Sequence, residues 1–288
     1  MAWTLTASLP EFLTEAGPYL RSDPVQNTVQ LTILETLRQS GLGSYGDTPP
    51  VFGWHEDGAG RTDGAFLRTP PHPVLLAKLP EGRAHGLIAL VRASDPALTE
   101  ANVAGSDAAG FSAAWAAATD GGTATARQRS RLFRLAELAP PDPAPPGCPR
   151  LAADADRDLV VAWQAAFVAE AEAVASHPER TVNDRMSYGG IMLWEAHGQP
   201  VAMAALSRAV AGVTRVVTVY TPPQFRRRGY GGAITTAVTR SAIEAGAADV
   251  VLFTDLANPT SNALYQRLGY RPIEDRVLLD LQQRPPAG

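Results

Sequence analysis

Six of the eleven residues from Ala139 to Pro149 are proline. A run this dense lacks backbone donors and fixes φ too often for a helix interior or a central strand, so it reads as an extended spacer. It cuts the 288-residue chain into a first domain at 1–138, a spacer at 139–149 and a second domain at 150–288, each flank of ordinary domain size. With 45% hydrophobic residues and a net charge of -4, both flanks are expected to be globular rather than disordered. No apolar run approaches the roughly 18 residues of a spanning helix, and the start of the chain lacks a basic segment followed by an apolar one. The expectation is a soluble, cytoplasmic protein with no membrane partner. The lone cysteine, Cys148, excludes an internal disulfide framework and a cysteine-based metal cage; it reads as a spacer thiol.

Before the spacer the pattern predicts helices at Leu9–Leu20 and Asn27–Gln39, then strands at Val51–Trp54, Gly64–Arg68 and Val74–Leu79. Helical stretches at Leu87–Val91 and Ala108–Ala118 follow, then a strand at Arg131–Leu138. This half carries no chemical motif. Pro70-Pro71-His72-Pro73 and Phe52-Gly53-Trp54 read as turn and core.

After the spacer, Asp154 or Asp156 can cap a helix from Arg157 to Ser176 that carries Trp163, Phe167 and Glu170 near one face. Strands at Ile191–Glu195 and Pro200–Ser207 flank Ala196-His197-Gly198-Gln199 as a hairpin. A strand at Thr214–Tyr220 stops at Thr221-Pro222-Pro223, followed by a helix Gly231–Ala245, a strand Val250–Asp255, a helix Ser261–Leu268 and a strand Val277–Leu281. That order implies an α/β (α+β) fold, with a mixed sheet covered by helices on both faces.

The basic residues are 24 arginines and a single lysine, Lys78. Most of that skew reads as composition, and with a pI near 5.8 nucleic-acid binding is not expected. One cluster needs a local reason: Arg226-Arg227-Arg228-Gly229-Tyr230-Gly231-Gly232, between a strand and a helix. Its backbone amides should gather at a helix N-terminus, which favours an anion, and glycine allows close approach or positive φ. A diphosphate is the natural occupant. There is no Gly-Lys-Ser/Thr ending for a nucleotide P-loop and no Gly-x-Gly-x-x-Gly with a following acidic residue.

The segment Arg226-x-x-Gly229-x-Gly231, preceded by strand Val217–Val219 and followed by an amphipathic helix, resembles the acyl-CoA-binding motif of the GNAT N-acetyltransferase superfamily. Downstream, Asn258-Pro-Thr-Ser261-Asn262-Ala263-Leu264-Tyr265-Gln-Arg-Leu268-Gly269-Tyr270 is similar to a second family signature. The resemblance covers about 150–282. It implies a mixed, mostly antiparallel sheet flanked by helices, and acetyl-CoA as co-substrate. Backbone donors would lie on Val219 and Thr221, either side of Tyr220, one of them stabilising the oxyanion of a tetrahedral intermediate. The amides of Arg227 to Gly232 would hold the diphosphate, with guanidinium groups of Arg226, Arg227 and Arg228 adding charge. Asn258 would meet the pantetheine arm. Tyr265 would protonate the departing thiolate, its competing role being core packing with Leu264 and Leu268; Tyr270 would pack.

The implied activity is N-acetyl transfer to a primary amine by direct attack in a ternary complex, with no metal. A small-molecule amine is the expected partner, and a homodimer stays open. Glu170, Glu195, Asp255 and His197 are candidate bases, none preferred. Two other readings stand beside it: a non-catalytic CoA-binding protein, and an O-acyl or longer-chain acyltransferase. The first half, lacking the Arg/Gln-x-x-Gly-x-Gly motif, reads as a degenerate second GNAT-like domain or an unrelated accessory domain, expected not to bind acyl-CoA.

Overall fold

The computed structural model describes residues 3–80, 82–171 and 177–283. The chain divides into two units: one from its beginning to Arg131 with the residues from Glu274 onward, the other from Leu132 to Ile273. The spacer is therefore not where the units part. The chain passes between them inside two long strands, β6 (Thr123–Leu135) and β12 (Tyr270–Gln282), and the end of β12 belongs to the first unit rather than to the expected second domain. Phe133 and Tyr270 pack in the core of the second unit, whereas Val277, Leu279 and Leu281 pack in that of the first. A strand that changes core midway keeps its alternation of side chains, so the pattern carries no mark of the crossing.

In the first unit, strands β1 (Trp3–Thr6), β2 (Val51–Glu56), β3 (Thr62–Arg68), β4 (Val74–Leu76) and β5 (Glu100–Ala104) lie in that order, with β12 beside β5. All these neighbours are antiparallel except β4 and β5, which run parallel with Val74 opposite Ala101 and Leu75 opposite Asn102. The expected helix at Leu9–Leu20 is two helices, α1 (Leu9–Glu15) and α2 (Gly17–Ser22), because Pro18 suits the first turn of a new helix and not the interior of an old one. Ser8 caps α1 by accepting from the Glu11 amide at 3.3 Å. Helices α3 (Thr28–Ser40), α4 (Ala84–Ser94) and α5 (Ala108–Ala118) complete the unit. Phe66, Leu76, Leu87, Phe111 and Trp115 form its core.

Beyond the short parallel pair the first unit closes on its own side chains. Arg276, buried from solvent, donates from Nη2 to the carbonyls of Leu76 at 2.7 Å and Asn102 at 3.0 Å, and from Nε to Asn102 Oδ1 at 2.7 Å. Gln30 Nε2 also donates to Leu76 O at 3.1 Å, and the Leu79 amide donates to Asp107 Oδ2 at 2.8 Å. Burial pulls the Arg276 guanidinium down to about 10, with nearby Glu274 and Asp107 acting the other way.

The second unit holds the end of β6 and strands β11 (Asp249–Asp255), β10 (Val213–Tyr220), β9 (Gln199–Leu206), β8 (Ile191–Ala196) and β7 (Cys148–Leu151), in that order. Only β10 and β11 among the pairs β7 to β11 run parallel. His197 and Gly198, both at positive φ, make the tight turn between β8 and β9. The proline-rich segment is part of this unit. The Ala139 amide donates to Leu268 O at 3.0 Å, Trp194 Nε1 donates to Pro146 O at 3.0 Å, and the segment runs into β7 at the edge, where a strand tolerates Pro149.

Helix α6 (Arg157–Glu170) is shorter than expected; Ala171 follows as a turn, and the rest of the expected helix, 172–176, lies outside the described residues. Asp156 stands at its N-cap, but the carboxylate accepts from the Ala153 amide and from Arg150. Helices α6 and α7 (Pro178–Met186) cover one core with Val160, Val182, Leu193, Met203 and Tyr220. Helices α8 (Tyr230–Glu244) and α9 (Pro259–Arg267) contribute to another with Trp194, Ala202, Ala204 and Val216. Neighbouring strand residues belong to different cores, as side chains pointing to opposite faces of a sheet must.

Arg276→Ala would remove the three hydrogen bonds that the guanidinium donates, to the Leu76 and Asn102 carbonyls and to Asn102 Oδ1, and leave a hole behind them. We expect it to destabilise the first unit by about 3 kcal/mol, read as a lowered urea midpoint; an unchanged midpoint would show that the guanidinium only fills space.

Candidate active site

The site is built where β10 leaves β11. Their pairing runs from Val213 opposite Asp249 to Val216 opposite Leu252, yet β10 continues to Tyr220 and β11 to Asp255. The backbone groups of Val219, Tyr220 and Thr221 on that side are thus out of the parallel ladder. On its other side β10 is bulged: Val217 faces Ala205 and Tyr220 faces Met203, so Thr218 and Val219 share one partner. Thr218 sits at φ 48, a left-handed conformation that a β-branched residue adopts only under constraint, at a cost of about 1–3 kcal/mol. The constraint is visible. Arg185 Nη1 on α7 donates to Thr218 Oγ1 at 2.8 Å and to Gln164 Oε1 on α6 at 3.0 Å, tying both helices to the bulge.

After Tyr220 the chain turns at Pro222 through a short 3-10 turn, Pro223–Phe225, into the arginine run. Arg227 at φ 61 and Gly229 at φ 84 are left-handed on either side of Arg228, and Gly229 is the N-cap of α8. Alternating backbone of this kind turns successive amides toward one point. The first hydrogen bond of the helix is from the Ala233 amide to Gly229 O, so the amides of Tyr230, Gly231 and Gly232 have no partner within it. The turn and the positive end of the helix together make an anion-binding concavity.

Gly231 tells what the concavity is for. Gly229 must be glycine for its φ, but a Cβ at Gly231 would meet only Thr221 Oγ1 at 3.6 Å and Leu264 Cδ2 at 4.0 Å, which are ordinary contacts. Nothing in the protein demands glycine there. The absence of a side chain there leaves room for close approach of a ligand beside the first turn of α8. The proline-rich segment runs alongside: a Cβ at Gly229 would lie 3.5 Å from Pro145, and one at Gly232 3.9 Å from Pro141.

Arg227 and Arg228 are exposed at the turn. Arg226 is engaged elsewhere, with Nε donating to Thr221 O at 2.8 Å and Nη2 donating to both Glu170 oxygens at 2.7 Å. Asn258 caps α9 by accepting from the Ser261 amide at 3.0 Å, so its carbonyl oxygen is committed to the helix. Tyr265 is buried in the α8 core with its ring edge-on to Tyr270, whose hydroxyl lies 2.6 Å from Thr239 Oγ1. Burial, which penalises the phenolate, pushes the Tyr265 phenol up to about 12.

Of the expected bases, Glu195 is paired with Arg150 Nε at 2.6 Å, with β7, and His197 is exposed at the hairpin turn. Asp255 accepts from the Ala257 amide at 2.8 Å. Glu170 is brought to the arginine turn by its pair with Arg226. The sequence reading missed Thr218, Gln164 and Arg185. Gln164 carried a signal: a polar residue one turn after Val160 and three before Phe167, on the apolar stripe of α6.

Residues 152–270 match the family model described as Acetyltransferase (GNAT) family. Three solved structures are similar along nearly the whole chain. A GNAT-family acetyltransferase from Colwellia psychrerythraea is 12% identical with a TM-score of 0.61, over 98% of this chain and 100% of that one. A GCN5-related N-acetyltransferase from Sphaerobacter thermophilus is 16% identical with a TM-score of 0.61, over 99% and 97%. A tandem GNAT protein from the clavulanic acid biosynthesis pathway is 13% identical with a TM-score of 0.58, over 99% and 100%. No curated protein matches the chain in sequence. Residues 152–270, the greater part of the second unit, form a domain of the GNAT acetyltransferase kind, and the fold along the chain is similar to that of a tandem GNAT protein. Among the described residues no helix is long and apolar enough to cross a membrane, and no group of three or more His, Cys, Asp or Glu could hold a metal ion.

The buried phenols make a pH prediction. In the folded chain burial raises Tyr188 and Tyr265 to about 12 and raises Tyr270 as well, whereas phenols in an unfolded chain titrate near 10. The folded state holds these protons where the unfolded state loses them, so their contribution to stability is complete below pH 10 and drains away toward pH 12. The thermal midpoint should fall across that window, and Tyr265→Phe should make the fall shallower; an equal slope in both proteins would contradict the burial of this phenol.

Proposed function

We propose that the second unit transfers an acetyl group from acetyl-CoA to a primary amine by direct attack in a ternary complex. The observation that carries this is the anion concavity at Arg227–Gly232, with a glycine at 231 that the protein's own packing does not require. It supports the diphosphate of CoA as occupant, with the amides of Tyr230, Gly231 and Gly232 donating to it and Arg227 and Arg228 adding charge. The opening between β10 and β11 supports a path for the pantetheine arm, with the free backbone donors of Val219 and Thr221 flanking Tyr220. A donor there strengthens its bond as the carbonyl oxygen gains charge. Asn258 can reach the arm with its Nδ2, its oxygen serving the helix cap.

The acetyl-CoA supplies an activated acyl group. The amine nitrogen bonds to the acyl carbon while the carbon–sulfur bond breaks; the nitrogen gives up a proton to a base or water, and the Tyr265 phenol gives one to the thiolate. Tyr265 also packs in the core, so its two roles have to be separated by experiment. We extend the reading to its setting: a small-molecule amine acceptor, no metal, no nucleic acid, and a cytoplasmic location. In the first unit, we infer, Arg276, Gln30 and Asp107 take the backbone groups an acyl-CoA would need, so that unit binds none.

Gly231→Val tests the cofactor site apart from the fold. Because the added Cβ meets only ordinary contacts, the thermal midpoint should stay within about 3 °C, while calorimetry should find acetyl-CoA binding weakened by a factor of about 100 or more. Unchanged binding would remove the concavity as the diphosphate site. Tyr265→Phe should keep acetyl-CoA affinity and lower kcat about 10- to 100-fold. Full turnover would leave Tyr265 a packing residue, and absence of CoA release with any amine would favour a binding protein.

A further inference from the structure

The arginine that opens the CoA-binding motif is held away from the concavity, and what holds it has the chemistry of a receptor for a cation. Arg226 Nη2 lies 2.7 Å from each Glu170 oxygen, and its guanidinium carbon is 5.9 Å from the centre of the Tyr220 ring. The Tyr220 ring in turn lies 6.1 Å from that of Trp163, tilted by 56°. Carboxylate and aromatic faces arranged in this way take an ammonium as readily as a guanidinium. Glu170, Trp163 and Tyr220 belong to the α6 face of the sheet, opposite α8, and Tyr220 stands between the Val219 and Thr221 backbone donors. A group bound there approaches the open strand ends from the side away from the helix that carries the diphosphate site.

We infer that Glu170, Tyr220 and Trp163 form the seat of the acceptor's ammonium, that the acceptor is a cationic amine on an apolar stem, and that Arg226 fills this seat until the diphosphate draws it away. This rests on the proposed acetyl-CoA reading and adds the acceptor class to it.

The exchange is easy on physical grounds. The side chains of Arg226 and Glu170 are 43% and 48% exposed, and an ion pair so wetted is worth less than about a factor of five in an equilibrium constant. A diphosphate offers the guanidinium more charge and a bidentate geometry, four residues before the first of the amides that would hold it. Glu170 is then left with no cation, beside two aromatic faces. An acceptor with its own carboxylate near the amine is excluded by the same charge, since like charges brought together cost affinity. CoA and the amine should favour each other, because each relieves the other of competition from Arg226, and such coupling is reciprocal.

Calorimetry with two probes of the same stem tests this: 2-phenylethylamine, a cation, and L-phenylalanine, which adds a carboxylate. CoA is titrated first, then each probe into the CoA-saturated protein. We expect 2-phenylethylamine to bind at least about tenfold more tightly than L-phenylalanine, and more weakly when CoA is absent. Glu170→Gln, an exposed and shape-conserving change, should weaken 2-phenylethylamine about two- to fivefold and tighten CoA by a similar factor, since Glu170 no longer competes with the diphosphate for Arg226. Equal binding of the two probes, or amine binding indifferent to Glu170→Gln, would overturn the inference while leaving the CoA site intact. Failure of the wild-type chain to bind CoA is read before any amine is added and would overturn the proposed function itself.

Discussion

The pairing of β10 with β11 stops after Val216 and Leu252, and what the second unit offers chemically depends on that stop. A parallel ladder carried to the ends of both strands would engage the backbone donors of β10 that point toward β11 beyond Val216. The bulge prevents it by placing Thr218 and Val219 against one residue of β9 and bending the strand. Thr218 is held at φ 48 while two helices converge on its hydroxyl through Arg185 and Gln164. A charge-assisted bond of this kind is worth about 1.5–3 kcal/mol, the same order as the cost of the backbone it holds. The open strand ends are therefore maintained by helix packing on the far face.

The first unit shows the same topology without the opening. It too has a short parallel pair, β4 with β5, followed by a loop and a helix. There the carbonyl of Leu76 receives Arg276 and Gln30, and the amide of Leu79 meets Asp107. A buried guanidinium is costly unless its donors are used, and those of Arg276 go to two carbonyls and a side-chain amide. The two units thus differ in whether the donors and acceptors freed by a short parallel pair are kept for a ligand or consumed by side chains.

What the sequence disclosed follows from how local each determinant is. Gly229, at a positive φ, and Gly231, beside free amides, act within one turn, so the arginine and glycine spacing reported them directly. The paired strand and helix on either side of them follow from periodicity. Trp3–Thr6 and Glu100–Ala104 were not legible as strands, being only four and five residues long and too short to show a firm alternation. The unit boundary was hidden by β6 and β12, and the proline run misled because its anchors, Leu268 O and the Trp194 indole, lie far away in sequence.

The site residues divide along the same line. Asn258 and Tyr265 stand at the right spacing, but spacing does not say that the first also caps a helix or that the second also fills a core. Glu170 could be named only as one carboxylate among several until folding set it against Arg226, 56 positions later. Motif spacing records backbone geometry, which a ligand common to many proteins can share. Glu170, Trp163 and Tyr220, the side chains we infer to seat the second ligand, come from α6 and β10, far apart in the chain, and their meeting is a property of that helix packed on the sheet rather than of any short segment.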